Sequence, residues 1–278
     1  MKNQIKSTFI ITGATGSIGR ELATLLAGTS KPIVLACRNT ERAEELRKSI
    51  VESTGNKQIY AHRLCLESRQ SIVDFAKWLT EENFSVHALI NNAGVMQRNY
   101  TVNEEGQEIT FAVNYLGTLM LTYLTIPLIE PGGHIVFTTS MTRRLYSAEG
   151  IAINEPREMF SQLGTYGRSK AALTHYAIYM AQHYPDIHIN CADPGVVNSN
   201  MIHMDRWYDP IADLLFRPII RSPKQGAKPT LKALTLKDSG NVVSGHFIRR
   251  IPYGKHDQSH GHLVEATRDY LVKAGITI

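Results

Sequence analysis

A chain of 278 residues, 43% hydrophobic and 20% charged, has a globular composition with enough apolar material for a sizeable core. Its formal net charge is +5 without any long basic block. Nucleic-acid binding is therefore not indicated, while the mild excess of positive charge suits anionic ligands such as phosphates. Cys37, Cys65 and Cys191 stand far apart, forming neither a CxxC pair nor a disulfide framework. Each lies in or beside an apolar run as a buried free thiol, and a reduced, cytoplasmic setting is expected. The opening "MKNQIKSTFIITG" lacks a signal-peptide core. The longest apolar run, 116–129, is broken by Gly117, several threonines and Pro127. It reads as a buried helix, so no integral membrane span is expected.

Strands and helices alternate along the chain. The apolar run 8–12 reads as a strand, 17–30 as a helix and 32–37 as a strand. Residues 40–54 form an amphipathic helix opened by Thr40 as N-cap. A strand at 58–64 precedes a helix at 68–82 capped by Ser68. A strand running into a loop spans 86–94, and one long helix spans 104–130. A strand at 133–140, a helix at 165–184 and a strand at 187–195 follow. A helix at 223–236 and a last strand at 242–248 precede a helix-like tail. Apolar strands alternating with helices imply a parallel sheet covered on both faces. One doubly wound Rossmann-type α/β domain over 1–278, with about seven strands, is expected. Only 196–222 breaks the rhythm, being apolar, proline-punctuated and loop-like.

"ITGATGSIGRE" (11–21) lies where the first strand meets the first helix. Gly13, Gly16 and Gly19 allow a tight turn and close backbone approach to a pyrophosphate. Thr15, Ser17 and Ile18 fill the loop, and the helix N-terminus offers free N–H groups and a positive dipole end. The second strand ends in "ACRN". In a dinucleotide fold this end lies near the adenosine ribose. Arg38, with Asn39 beside it and Arg42 one turn on, favours a 2′-phosphate, and hence NADP(H) over NAD(H).

Beside these stand "NNAG" at 91–94, Asn114, Ser140 and "TYGRSK" at 165–170. Together they resemble the short-chain dehydrogenase/reductase family from about residue 7 to 200. "ACRN" and 104–129 are similar to its retinol dehydrogenase-like branch. The resemblance implies that Tyr166 is the general acid/base and that Lys170, on the same helix face, lowers its pKa and binds the nicotinamide ribose. It further implies that Ser140 hydrogen-bonds the substrate oxygen and that Asn114 holds a water linking Lys170 to solvent. Asn91, Asn92, Ala93 and Gly94 line the cofactor. Pro194, Gly195 and Val197 of "DPGVVNS" contact the nicotinamide amide, with Asn198 or Ser199 as a cap.

Three departures from the family pattern stand out. Ser17 replaces the usual middle glycine, and Gly16 gives the spacing of the extended, epimerase-like branch. Cys65 stands where an aspartate commonly contacts adenine, a change that either weakens cofactor binding or moves the contact to the Leu66 backbone. Ser140 is followed by "MTRRLYSAEG", in which Arg143 and Arg144 read as solvated charges, with an acidic substrate group as the other reading.

The histidine-bearing segment 255–262 reads as a polar loop, and no metal site is expected. Trp207, Tyr208, Ile211, Leu214, Leu215 and Phe216 fall in 196–222, the family's substrate-covering loop, and suggest a bulky hydrophobic substrate, with packing against a partner subunit or resting on a membrane surface as the other readings. The expected function is hydride transfer between NADP(H) and a ketone, an aldehyde or a secondary alcohol. A nucleotide-sugar epimerase or dehydratase and a non-catalytic NADP sensor are the alternatives. Relatives pair through the helices at 104–130 and 165–184, so a homodimer or homotetramer is open.

Overall fold

The computed structural model describes residues 6–197, 221–245, 247–250 and 258–278. Eight strands form one sheet in the order β3-β2-β1-β4-β5-β6-β7-β8. They are β1 (Lys6–Thr12), β2 (Ile33–Cys37), β3 (Ile59–Arg63), β4 (Phe84–Asn91), β5 (Ile129–Thr138), β6 (His188–Asp193), β7 (Asn241–Ser244) and β8 (Phe247–Arg250). The first seven pair in parallel, and β8 returns antiparallel to β7. Neighbours of β1 are β2 on one side and β4 on the other, so the winding reverses there and opens a crevice at the strands' carboxyl ends.

Alternation along the strands divides the core. Phe9 and Ile11 of β1, Ile33 and Leu35 of β2, and Ala88 and Ile90 of β4 pack on one face. They meet α1 (Ser17–Ala27), α2 (Thr40–Thr54) and Ala227 of α6 (Pro223–Ala233). Ile10, Val34 and Leu89 point the other way. They join a larger cluster with α3 (Arg69–Glu81), α4 (Ile109–Leu128), α5 (Gln162–His183) and α7 (Gln258–Lys273). This is the period of two expected of strands covered on both faces. Cys37, Cys65 and Cys191 are free and buried, as expected.

Several boundaries differ from the sequence reading. Helix α4 starts at Ile109 rather than at 104. Asn103 accepts bonds from the Glu105 and Gln107 amides, Gly106 has φ +77°, and Val102 bridges Glu108. An Asx-type turn thus takes those residues before the helix begins. Within α4 the turn Ala112–Gly117 is a π-helix. By length and composition α4 could cross a membrane, but 89% of its most apolar window is buried in the protein, as expected of a core helix. Helix α2 is capped by Asn39, which accepts from the Arg42 amide, and not by Thr40. The expected strand 242–248 is a hairpin: Gly245 takes φ +59° and reverses the chain, giving eight strands instead of about seven. Strand β5 begins at Ile129, four residues earlier than expected. Asn198, Ser199 and the aromatic residues of the substrate-covering loop lie outside the described residues, as do 255–257.

Candidate active site

The first βα turn is built by backbone contact. Gly13 has φ +62°, and a Cβ there would lie 2.9 Å from the Ala93 Cα. A Cβ on Gly19 would overlap the Gly13 carbonyl oxygen and lie 2.8 Å from the Ala14 Cα. Both glycines are therefore required by the fold itself. Gly16 is different: its Cβ would meet only the Gly13 oxygen, at 3.3 Å. It is the N-cap of α1, no side chain caps that end, and no acidic residue occupies the first turn. An N-terminus left open in this way suits a phosphate. Ser17, Ile18 and Gly19 supply its first amides. Thr15 reaches back to the Cys37 thiol at the end of β2, and burial pushes that thiol up.

The turn is tied to β4. The Thr12 hydroxyl accepts from the Asn92 and Ala93 amides at 3.0 and 2.9 Å, and Asn92 Nδ2 donates to the Thr12 and Gly13 carbonyls. Asn92 thus braces the loop. On the other side Val197 and Ile18 converge on Gly226 of α6. Pro194 and Gly195 follow β6, with Gly195 at φ +73°. The Pro194 carbonyl accepts from Arg221 at 3.4 Å. The predicted residues 12–19, 92–94 and 194–197 therefore rim one crevice.

At the adenosine end, Arg38 is exposed and its charge reaches Cys65. Asn39 is at the same place, but its side-chain oxygen is used as the α2 cap. Cys65 is buried, with its amide bonded to the Ser71 hydroxyl, and Leu66 is also buried. The residues present fit a dinucleotide: a glycine cradle, an uncapped helix end and an exposed guanidinium at the end of β2. Two buried oxygens at the strand ends, Asn91 Oδ1 and Thr138 Oγ1, have no partner among the described residues.

The remaining four predicted residues come together at the end of β5. Tyr166 and Lys170 lie on α5, with the Lys170 Nζ 5.9 Å from the Tyr166 ring centre. Lys170 is 2% exposed and donates to the Thr138 carbonyl at 2.9 Å. Burial pushes its pKa down to about 8. Asn114 sits in the π-helical turn of α4, fully buried. It accepts from the Val95 amide and donates to the Val95 carbonyl and to Ser169 Oγ. A Cβ on Gly94 would lie 3.3 Å from the Lys170 Nζ and 3.4 Å from the Asn114 oxygen, so these three residues adjoin. A π-turn at this point re-aims one side chain without ending the helix.

Ser140 follows β5 and caps a 3-10 turn, Met141–Leu145, accepting from the Thr142 amide and hydroxyl. It also lies close enough to the Tyr166 phenol to favour its ionised form. Burial nevertheless pushes the Tyr166 phenol up to about 12; Ser140 opposes this rise and the Asp193 charge adds to it. The expectation that Lys170 lowers this pKa is corrected here. The lysine is itself desolvated and spends its bond on Thr138.

Sequence reasoning missed several supports. Ser169 bridges Asn114 and the Tyr166 carbonyl (2.8 Å) from inside "YGRSK". Glu155, 2% exposed, pairs with Arg168 (Nε–Oε2 2.8 Å) and accepts from Thr165, fixing the first turns of α5. Arg143, read as a solvated charge, is only 8% exposed, whereas Arg144 is exposed.

The comparisons with known proteins agree with this geometry. The family model described as short chain dehydrogenase matches residues 7–207. Human retinol dehydrogenase 11 is 32% identical over 247 residues, covering 86% of this chain and 76% of that protein. A structure of an uncharacterised protein from Mycobacterium paratuberculosis superposes with TM-score 0.75 at 21% identity, covering 99% and 96% of the two chains. L-sorbose reductase from Gluconobacter frateurii, solved with NADPH and L-sorbose, gives TM-score 0.68 at 17% identity, covering 88% and 97%. The chain belongs to the short-chain dehydrogenase family, oxidoreductases that act on CH–OH and C=O groups with NAD(P).

Proposed function

We propose that the protein is an NADP(H)-dependent reductase of ketones and aldehydes, working in the direction of the alcohol. The observation that carries this reading is the meeting of Ser140, Tyr166, Lys170 and Asn114 at the end of β5, beside the glycine crevice. The nicotinamide, when bound, supplies hydride to the carbonyl carbon. Tyr166 donates its phenolic proton to the carbonyl oxygen, which completes the alcohol. A phenol pushed up to about 12 is fully protonated at neutral pH, the state that donation requires. Ser140 orients the same oxygen from the other side. Lys170, at about 8, is an acid able to return a proton near neutral pH, and Asn114 holds the path beside it.

Arg38 supports the choice of NADP(H), because it offers a charged fork where a 2′-phosphate would lie. An apolar substrate is supported by the rim, where Leu145 is 70% and Leu163 57% exposed. The similarity to a retinol dehydrogenase points the same way. Three reduced thiols suit a cytoplasmic setting.

Titration by nicotinamide fluorescence tests this reading. NADPH should bind about 10–100-fold more tightly than NADH, a charge-assisted bond's worth, and Arg38→Ala should abolish the difference. Equal affinity in the wild-type protein would remove Arg38 from cofactor choice.

A further inference from the structure

Two glycines lie inside the helix that carries the proton donor. Gly164 precedes Tyr166 by two residues and Gly167 follows it directly, and their spacing puts both on one face of α5. Glycine inside a helix is destabilising relative to alanine, and neither of these takes a positive φ that would call for it. What they leave room for is a side chain. A Cβ on Gly167 would overlap Tyr146 Cε2 and lie 3.0 Å from its Cδ2. A Cβ on Gly164 would lie 3.5 Å from the Tyr146 hydroxyl. The Tyr146 ring is therefore seated on the helix backbone, one residue from Tyr166. The Arg168 guanidinium, paired with the buried Glu155, stands over the ring at 5.5 Å from its centre.

Tyr146 also ends the 3-10 turn that Ser140 opens. Its amide bonds the Arg143 carbonyl at 3.3 Å, while Ser140 Oγ accepts from the Thr142 amide and hydroxyl. The same turn meets the helix again at Thr142, whose carbonyl oxygen would lie 3.5 Å from a Cβ on Gly167. Ser140 and Tyr166 thus sit on two separate elements, and the contact at Gly167 joins those elements beside the phenol. Two hydroxyls that take one carbonyl oxygen must keep their spacing, since a misplacement of about 1 Å costs about 100-fold in rate.

We propose that Tyr146 is a positioning residue for the reduction. Its ring, seated on Gly164 and Gly167, holds the Ser140 turn against the tyrosine helix and so fixes the spacing of the two hydroxyls that take the carbonyl oxygen. This rests on the carbonyl-reductase reading above. The ring acts through Ser140 and not on the reacting atoms themselves.

The test follows NADPH oxidation by single turnover, with 4-nitrobenzaldehyde as the probe. Tyr146→Ala should lower kcat about 10–100-fold, with KM and NADPH affinity little changed. Tyr146→Phe keeps the ring atoms that meet Gly167 and should stay within about twofold of the wild type, because the geometry is kept. Gly167→Ala pushes the ring away and should lower kcat as Tyr146→Ala does, and the two combined should cost no more than Tyr146→Ala alone. In a Ser140→Ala background, Tyr146→Ala should have no further effect on kcat, a result that general loosening of the fold would not give. A wild-type kcat in Tyr146→Ala would overturn the proposal, as would equal losses with and without Ser140. A loss confined to KM would also overturn it, by showing that the ring contacts the substrate. Where Tyr146→Ala loses NADPH binding through unfolding, Gly167→Ala in the two Ser140 backgrounds decides the same question. A wild-type protein that binds NADPH and leaves the aldehyde unreduced would overturn the reductase reading, and the proposal with it.

Discussion

The glycine turn at 12–19 and the tyrosine helix at 162–183 reach the same crevice by different physics. The turn is a matter of shape. Gly13 and Gly19 let one stretch of backbone lie against another, and the Thr12 and Asn92 side chains brace it. The tyrosine helix is a matter of charge. Lys170, Asn114, Glu155 and Arg168 are held in place by hydrogen bonds that burial makes both strong and necessary. A shape fails by collision, and a charge network fails by leaving one member alone. The two regions should therefore respond differently to substitution.

The largest effect is expected in the charge network. Glu155→Ala leaves Arg168 without its carboxylate and frees the first turns of α5, and should cost about 3–5 kcal/mol in denaturant unfolding. Replacing Glu155 and Arg168 together by leucine should recover part of that loss, since no charge is then stranded. If the single variant is as stable as the wild type, the network does not hold the tyrosine helix.

Within the turn, two neighbouring glycines should separate fold from ligand. Gly19→Ala drives a methyl group against backbone and should cost about 1–3 kcal/mol, seen as a drop of about 2–12 °C in Tm. Gly16→Ala meets little and should leave Tm close to the wild-type value while weakening NADPH binding. Equal Tm losses for the two would show that Gly16 also serves the fold.

The smallest effect is expected far from both regions. His134 lies in a row with His87 and His188 across the amino ends of β4, β5 and β6, with ring centres 6.0 and 5.0 Å apart. Glu130 bonds His87 at 3.3 Å, on the same edge of the sheet. Burial, followed by the two neighbouring histidines, pushes the His134 pKa down to about 4. The unfolded chain, with a pKa of about 6.5, binds this proton more readily than the native one. Stability from this group is thus intact at pH 7 and lost as the pH falls from about 6.5 towards about 4. The loss between pH 7 and pH 5 should be about 1–2 kcal/mol, and His134→Gln should flatten it. An unchanged pH dependence in that variant would assign the acid sensitivity elsewhere.

The difference between shape and charge also explains what the sequence allowed one to read. Glycines at 13, 16 and 19 and a Tyr–Lys pair four residues apart are local patterns, and the structure places them where the spacing said. The apolar runs of β1, β2 and β4, alternating with helices, were equally legible as strands of a sheet covered on both faces. Arg143 was not. It follows Ser140 in a 3-10 turn with no apolar period to mark its inward face, and only the fold shows that it is buried. Glu155 lies in an irregular loop ten residues before the threonine it binds. Asn114 was found through the family resemblance, but the π-turn that aims it leaves no trace in the residue pattern. Asn39 and the Gly245 hairpin were misjudged because each depends on a one-residue choice, of cap or of strand direction. Tyr166 was expected to be made acidic by Lys170, but desolvation, which sequence does not record, prevails.

The most direct test of the proposed chemistry is a single turnover of Tyr166→Phe beside the wild-type protein, with bound NADPH and an excess of ketone. The account predicts that the variant binds NADPH with wild-type affinity and reduces the ketone about 100–10,000-fold more slowly, the range expected for loss of a general acid. Turnover at the wild-type rate would show that the proton comes from another group, and would contradict the assignment of the reaction centre to Ser140, Tyr166 and Lys170.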